Sequence, residues 1–227
     1  MLDRVTITGA DDGVHFDSLC KIADKYPFVE WGILISLNKM GTPRYPSRKW
    51  LSHFVELDVR TSIHVCGRIV RDIVFKGAES VEDELDFLDG AYDRVQLNAS
   101  PYWDRSHNEF FDALKGSSQF IFQMKEFDSR LIDKARDRGI DAVPLFDRSG
   151  GKGLSPDEWP RPLKGVFCGY AGGLSPENLP GQIESILEVS GDAKIWVDME
   201  SGVRADNCLD LSKVEKCLEI AAPFVLG

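Results

Sequence analysis

The sequence has few cysteines, and they follow no pattern that would pair them or bind a metal ion. The five cysteines among 227 residues are scattered and odd in number, and none belongs to a CxxC pair. This usage is typical of a reducing compartment rather than of a disulfide-stapled secreted chain. We therefore expect a cytoplasmic protein. No spacing of His, Cys and carboxylate residues identifies a metal site, and we predict no metal and no cofactor.

Long apolar runs and an excess of basic residues are also missing. No stretch approaches the roughly 18–20 apolar residues of a membrane span. The N-terminal stretch MLDRVTITGADD lacks the charged-then-apolar pattern of a signal peptide. The formal net charge of -10 argues against nucleic acid or an anionic membrane as the main partner. We therefore predict neither a nucleic-acid partner nor a membrane partner.

What the sequence does contain is an alternation of short apolar segments and amphipathic segments. Strands alternating with helices indicate a parallel sheet, and eight such strands predict an α/β protein with the (β/α)₈ TIM-barrel fold, a single domain over 1–227. A doubly wound open sheet is the structural rival, but TGADDG after the first strand has no GxGxxG fingerprint. The predicted strands are 4–8, 30–36, 61–66, 93–98, 119–124, 141–146, 164–169 and 194–199, and the predicted helices are 16–25, 47–57, 79–89, 107–115, 127–138, 176–189 and 210–221.

A barrel determines where a functional site lies, because active sites are found at the carboxyl ends of barrel strands. Glycine-bearing loops follow the last three predicted strands, with the sequences FDRSGGKG, GYAGGL and DMESGVR. Loops after the seventh and eighth strands commonly bind phosphate through backbone N–H groups. The alternative is that the glycines only make tight turns. We predict a phosphate site whose donors are on Gly151, Gly172, Gly173, Ser201 and Gly202.

These loops resemble those of one enzyme family, the phosphoribosylanthranilate isomerases. LFDRSGGKG, GYAGGLSPENL and VDMESGVR are similar to the family's sixth, seventh and eighth strand loops. GTPRYPS is similar to its Ser-x-Arg-Tyr-Val loop after the second strand, and VQLN is similar to its fourth strand. The likeness spans most of the chain and is strong over 141–204.

The resemblance implies an Amadori rearrangement of a phosphoribosyl amine to an amino-ribulose phosphate, a step of tryptophan biosynthesis. It implies that Asp147 is the general acid that opens the ring and that Arg44 holds the anthranilate carboxylate. Asp198 matches the family's eighth-strand Asp, and Glu200 adds a carboxylate where the family has a small or amide side chain; we assign both to substrate binding. We expect a small phosphosugar as the partner and a monomer or homodimer.

The family's general base is a cysteine at the end of the first strand, and Thr8 occupies that position. A threonine hydroxyl is a poor general base without a helper. Asp11 is a possible replacement base, although it can equally cap the helix that follows. Cys66 and Cys168 are further alternatives, but free cysteines are more often small buried hydrophobes.

Three functions are therefore open at the level of sequence. The first is a phosphoribosylanthranilate isomerase-like enzyme with an altered base. The second is a barrel that acts as an epimerase, isomerase or lyase on a different sugar phosphate. The third is a non-catalytic phosphosugar-binding protein.

Overall fold

The structure, a computed structural model, describes residues 1–76, 92–98, 110–111, 114, 118–148, 150 and 152–225. Within them, eight parallel strands close into one barrel in sequence order. This confirms the predicted (β/α)₈ fold over the open sheet. The strands are β1 Leu2–Thr8, β2 Val29–Ile35, β3 Thr61–Val65, β4 Arg94–Leu97, β5 Gln119–Met124, β6 Ala142–Phe146, β7 Cys168–Ala171 and β8 Ile195–Met199.

Helices follow most of the strands and cover the outside of the barrel. Their described bounds are α1 Phe16–Lys25, α2 Arg48–Phe54, α3 Arg68–Lys76, α4 Ser129–Arg136, α5 Leu179–Ser190 and α6 Leu211–Ala221. The sequence pattern missed α3. The helix predicted at 79–89 lies outside the described residues, as does most of the one predicted at 107–115. No helix among the described residues has the length and apolar character that a membrane crossing requires.

Several predicted boundaries differ from the structure by two or more residues, and two of them lie close to the loops that were predicted to bind phosphate. The seventh strand was expected at 164–169 but begins at Cys168, because Gly165 has a φ of +71° in a turn that Val166 N–H closes onto the Leu163 carbonyl. The helix expected from 176 begins at Leu179. Residues 176–178 form a turn instead.

Two glycines in strands make room for large or polar side chains inside the barrel. A Cβ on Gly32 would collide with Thr8 and would lie 3.1 Å from His64 Cε1. A Cβ on Gly169 would collide with the indole of Trp196. Since alternate residues of a strand face the same side, these contacts place Thr8, His64 and Trp196 in the barrel interior.

The amino-terminal part of the barrel interior holds a buried ion cluster. Glu30 is fully buried and accepts hydrogen bonds from Thr6 Oγ1 at 2.7 Å, Arg94 Nη2 at 3.0 Å and Arg4 Nη1 at 3.3 Å. Arg94 also stacks 4.3 Å from the ring centre of Trp196. This cluster closes the floor of the barrel, and it leaves the opposite end for a ligand.

Candidate active site at the carboxyl end of the barrel

A pocket lies at the carboxyl-terminal mouth of the barrel, and each of the eight strands or its following loop contributes to its wall. This is the end at which the sequence placed the site. Most of the predicted site residues line the pocket together: Thr8, Asp147, Gly172, Gly173, Asp198, Glu200, Ser201 and Gly202. Asp11 and Arg44 lie beside it, and Gly151 is outside the described residues.

Asp198, at the end of β8, lies at the bottom of this pocket and is 7% exposed. Thr8 Oγ1 donates a hydrogen bond of 2.7 Å to its Oδ1. Burial raises the pKa of Asp198, and with the charges of Glu200, Glu30 and Asp147 it brings this pKa to about 7, against the Thr8 hydrogen bond, which lowers it. The Asp198 carboxyl group can therefore exchange a proton near neutral pH.

Thr8 acts on that carboxyl group as a hydrogen-bond donor. Its hydroxyl proton is directed at Asp198 Oδ1, so the oxygen at the position that matches the family's cysteine is tied to this carboxyl group. The predicted catalytic position thus has a partner that the sequence did not reveal. The geometry indicates that Thr8 orients the Asp198 carboxylate.

Asp147 follows β6 and is the second carboxylate of the pocket, 4% exposed. Gln123 Nε2, from the neighbouring strand β5, donates a hydrogen bond of 2.7 Å to Asp147 Oδ2. The backbone N–H of Asp147 donates to the Met124 carbonyl at 2.8 Å, which extends the β5–β6 ladder by one residue. Two carboxylates on different strands, each with its own amide or hydroxyl donor, therefore face one ligand volume.

The other titratable groups of the mouth are poor candidates for proton transfer. Burial lowers the pKa of His64 to about 3, so its imidazole is neutral at physiological pH. Burial raises the pKa of the Cys66 thiol to about 12. Cys168 is the first residue of β7, at the amino-terminal end of that strand, and burial raises its pKa to about 11. Asn98 Nδ2 also lies 3.0 Å from Cys66 Sγ. Neither cysteine is a thiolate that could replace the missing base.

The predicted phosphate loops form one wall of the pocket. Gly172 and Gly173 have φ values of +133° and +61°, which side chains rarely adopt. A Cβ on Gly173 would lie 2.5 Å from Ser155 N and one on Gly172 would lie 2.8 Å from the Leu154 carbonyl. A Cβ on Gly202 would collide with the Leu174 carbonyl. The glycines are therefore required because three loops pack backbone against backbone here.

Asn178 ties the turn of the seventh loop together. Its Nδ2 donates to the Gly173 carbonyl at 2.8 Å, and its Oδ1 accepts from Ser175 N–H at 2.9 Å. These bonds fix the backbone that follows the two glycines. Ser175 also belongs to this turn, where its carbonyl accepts from Leu179 N–H at 2.9 Å.

A second cluster lies beside the pocket, where Asp11 and Arg44 meet. Asp11 Oδ2 accepts from the backbone N–H of Arg44 at 2.6 Å and from Arg204 Nη2 at 3.2 Å, while Oδ1 accepts from Gly13 N–H at 3.0 Å. Arg44 Nη1 donates to Glu200 Oε1 at 2.7 Å. Asp11 thus connects the loops after β1, β2 and β8, and its lone pairs are already engaged.

Sequence reasoning missed three residues that shape this site. Gln123, Asn178 and Arg204 each bond a residue that the sequence did single out. A signal existed for Gln123, because it is a polar residue two positions after the buried Ile121 on the same face of a strand. No comparable signal marks Arg204, whose partner is distant in sequence.

Fold and site together define a class of protein, a TIM barrel with two buried carboxylates beside a glycine-walled pocket. The sequence model of the N-(5'-phosphoribosyl)anthranilate (PRA) isomerase family matches residues 80–220. This is more than half of the chain, and the protein belongs to that family. A search of curated proteins found no match.

Solved structures agree on the fold. The N-(5'-phosphoribosyl)anthranilate isomerase of Pyrococcus furiosus superposes with a TM-score of 0.60 at 15% identity. The phosphoribosyl anthranilate isomerase of Thermus thermophilus superposes with a TM-score of 0.62 at 18% identity, and that of Thermotoga maritima with a TM-score of 0.58 at 16% identity. In all three comparisons 97% of this chain and 99% of the other chain are covered. At such identities the likeness shows the barrel, and the chemistry has to be argued from the residues of this chain.

Proposed function

We propose that the protein is an isomerase that converts an N-substituted 5-phosphoribosylamine to the corresponding amino-ribulose phosphate. Asp147 is the general acid and Asp198 the general base. The observation that carries the proposal is the placement of these two buried carboxylates at one pocket, beside the glycine loops that are predicted to bind phosphate. Membership of the PRA isomerase family supports the reaction type.

The reaction needs one proton donated and one removed. Asp147 gives a proton to the ring oxygen as the bond between that oxygen and C1 breaks, which leaves an iminium ion at C1. Asp198 then removes the proton from C2, and the enolamine that forms tautomerises to the ketone. A carboxyl group whose pKa is about 7 suits proton transfer at neutral pH, because both of its forms are populated there.

The position of Asp198 favours it as the base over the other carboxylates. It is hydrogen-bonded to Thr8, the residue at the family's cysteine position, so its oxygens lie next to the place where that thiol would act. Asp11 is bonded to three donors and does not line the pocket. Glu200 is paired with Arg44.

The phosphate of the substrate would bind to the loops after β7 and β8. Gly172, Gly173, Ser201 and Gly202 line the pocket there, and their backbone N–H groups are the proposed donors. Gly153, from the loop after β6, completes this wall, since its Cβ position is 3.3 Å from Ser201 Oγ. We propose that these loops bind the phosphate group of the substrate and that the reacting carbons then lie near Asp147 and Asp198.

The test is turnover of glycosylamines formed from ribose 5-phosphate and primary aromatic amines, with the product followed by NMR. Asp147→Asn and Asp198→Asn should each lower kcat by at least about 100-fold, as expected for loss of a general acid or base. Asp133→Asn, an exposed position on α4, is the matched control and should retain the rate. Turnover that survives Asp147→Asn would refute the mechanism.

A second candidate is a barrel enzyme that acts on another sugar phosphate, and the replacement of the family's cysteine by Thr8 favours it. A panel of ribose, ribulose and related phosphates would identify it through a different product. No turnover and no binding of any phosphosugar would reject both candidates.

A further inference from the structure

The ion pair between Arg44 and Glu200 bears on the identity of the substrate. Arg44 Nη1 lies 2.7 Å from Glu200 Oε1, and each side chain is only about one-third exposed (33% and 29%). Glu200 lines the pocket, while Arg44 lies beside it. We infer that the nitrogen substituent of the substrate carries no carboxylate and no other negative charge, an inference that rests on the proposed isomerase reaction.

Arg44 is held in place from both ends, so its pairing with Glu200 is built into the loops. Its backbone has a φ of +77°, and its N–H donates to Asp11 Oδ2 at 2.6 Å. Gly9, with a φ of +101°, packs against the guanidinium of Arg204, since a Cβ there would lie 2.9 Å from Arg204 Nη1, whereas Glu200 Cγ at 3.7 Å and Arg44 Cβ at 3.9 Å would be ordinary contacts. The Arg44 guanidinium therefore has a protein carboxylate as its partner before any ligand arrives.

The charges around the pocket have one sign. The described residues that line it include three carboxylates, Asp147, Asp198 and Glu200, and among these lining residues there is no Lys or Arg. His64 also lines the pocket, and burial lowers its pKa to about 3, so it contributes no positive charge at neutral pH. An anionic substituent would therefore face carboxylates.

Two cations on the loops after β2 and β8, Lys39 and Arg204, have partners within the protein. Lys39, on the loop after β2, lies 4.9 Å from the centre of the Tyr45 ring and donates to its hydroxyl at 3.4 Å. Arg204 donates to the Gly9 carbonyl at 2.7 Å and to Asp11 at 3.2 Å. Neither lines the pocket, so neither replaces Arg44 as a partner for a substrate carboxylate.

An anthranilate-type carboxylate that used the remaining N–H donors of Arg44 would lie beside the Glu200 carboxylate, and one that took the donor now bonded to Glu200 would displace that side chain. Glu200 would then be an unpaired charge close to Asp198, whose own pKa its charge already raises. The phosphate end is different, because neutral backbone N–H groups are its proposed partners. The site therefore accepts the negative charge of the phosphate group and selects against a negative charge on the nitrogen substituent.

The experiment compares two nearly isosteric substrates that differ in one charge. Ribose 5-phosphate is condensed with 2-aminobenzamide or with 2-aminobenzoate, and kcat/KM is measured for each glycosylamine with the intact protein. We expect the neutral amide to be preferred at least about tenfold, within the range that one pocket contact discriminates. The wild-type protein suffices for this comparison, so it does not depend on the folding of a variant.

Glu200→Gln then tests the cause of the preference. The amide side chain frees the Arg44 guanidinium, and kcat/KM for the 2-aminobenzoate substrate should rise about tenfold relative to the amide substrate. Glu184→Gln, at an exposed position on α5, should leave the ratio unchanged. An unchanged ratio in Glu200→Gln would overturn the role of this pair.

The outcomes separate this inference from the proposed function. Turnover of both substrates with a wild-type preference for 2-aminobenzoate would overturn the inference and leave the isomerase function intact. Absence of turnover for both substrates, in the wild type and in Glu200→Gln, would overturn the proposed function and the inference with it.

Discussion

Thr8 Oγ1 donates a hydrogen bond of 2.7 Å to Asp198 Oδ1 across the seam between β1 and β8, the first and last strands of the barrel. The two residues are 190 positions apart in sequence. Burial raises the pKa of this carboxyl group to about 7, and the Thr8 hydrogen bond opposes the increase. The bond therefore couples the position of the missing cysteine to the ionisation of the proposed base.

Replacing Thr8 by Val removes the donor and keeps the shape. Without the Thr8 hydrogen bond, which lowers the pKa of Asp198, the effect of burial is less opposed and this pKa rises. If Asp198 is the base, kcat/KM increases with pH as it ionises, and in Thr8→Val this increase shifts to higher pH. A shift of about one pH unit would lower the rate at pH 6 roughly tenfold.

The measurement is the pH profile of kcat/KM for Thr8→Val, with Thr8→Ser as the control that retains the hydroxyl. A Thr8→Val profile that falls in rate without moving along the pH axis would indicate a packing defect. That result would contradict the coupling.

The stability of the protein should also depend on the charge of Asp198. Its pKa is about 7 in the folded state against an ordinary value of 3.8. Because the folded state holds the proton more tightly, stability falls as pH rises from about 4 to above 7. Asp198→Asn cannot ionise, so it should gain roughly 3 kcal/mol relative to wild type between pH 5 and pH 9.

Urea unfolding at several pH values measures this difference. The difference in the free energy of unfolding between the two proteins is followed as a function of pH. Any cost of the amide that does not depend on pH then drops out of the change in this difference. A difference that stays constant from pH 5 to pH 9 would show that Asp198 is not the group whose pKa is raised.

Gly173→Ala should weaken phosphosugar binding more than it weakens the fold as a whole. The new Cβ would lie 2.5 Å from Ser155 N, so the loops after β6 and β7 must separate. Gly191→Ala is the matched control, because Gly191 has a similar φ of +54° and open space around its Cβ position. Each variant should lose about 1 kcal/mol from its positive φ.

Isothermal titration with ribose 5-phosphate distinguishes the two variants. We expect the affinity to fall at least about tenfold in Gly173→Ala, or roughly 1.4 kcal/mol, and to stay unchanged in Gly191→Ala. Equal affinities in the two variants would place the phosphate elsewhere.

Glu30→Gln tests the buried ion cluster at the floor of the barrel. Burial alone would raise the pKa of Glu30, but Arg94, Arg4 and the Thr6 hydrogen bond outweigh it, and the pKa is lowered below its ordinary value of 4.5. The variant leaves Arg94 buried without its carboxylate partner, a change that typically costs about 3–5 kcal/mol.

Urea unfolding at pH 7 of Glu30→Gln, with Glu184→Gln as the exposed control, gives the result. Because the folded pKa is lowered, the contribution of Glu30 is complete above its unfolded pKa and is lost as pH falls through the lowered value. The difference in the free energy of unfolding between wild type and Glu30→Gln should therefore become smaller at acidic pH. A loss below 1 kcal/mol at pH 7 would mean that water replaces the carboxylate.

Patterns that are local in sequence predicted most of the fold. Helix α1 and strand β5 have the predicted bounds, because each depends on a periodicity that lies within the segment itself. The seventh strand was misplaced because the apolar run that begins at Val166 was extended back through Lys164 and Gly165, whereas the positive φ of Gly165 makes a turn there. The start of α5 was misplaced because the Ser-Pro pair that typifies a helix start is held in a turn by Asn178.

The sequence by itself determined the barrel and the end of it that carries the site, since strand and helix periodicities and glycine loops are local properties of the chain. Only the tertiary structure decided how the site residues combine. Asp198 became a candidate base because Thr8 and burial act on it, and Arg44 became a paired residue because Glu200 reaches it. The members of each pair are more than 150 residues apart and meet only when the barrel closes. Burial and hydrogen bonding, which set the charge of these groups, do not exist before that closure.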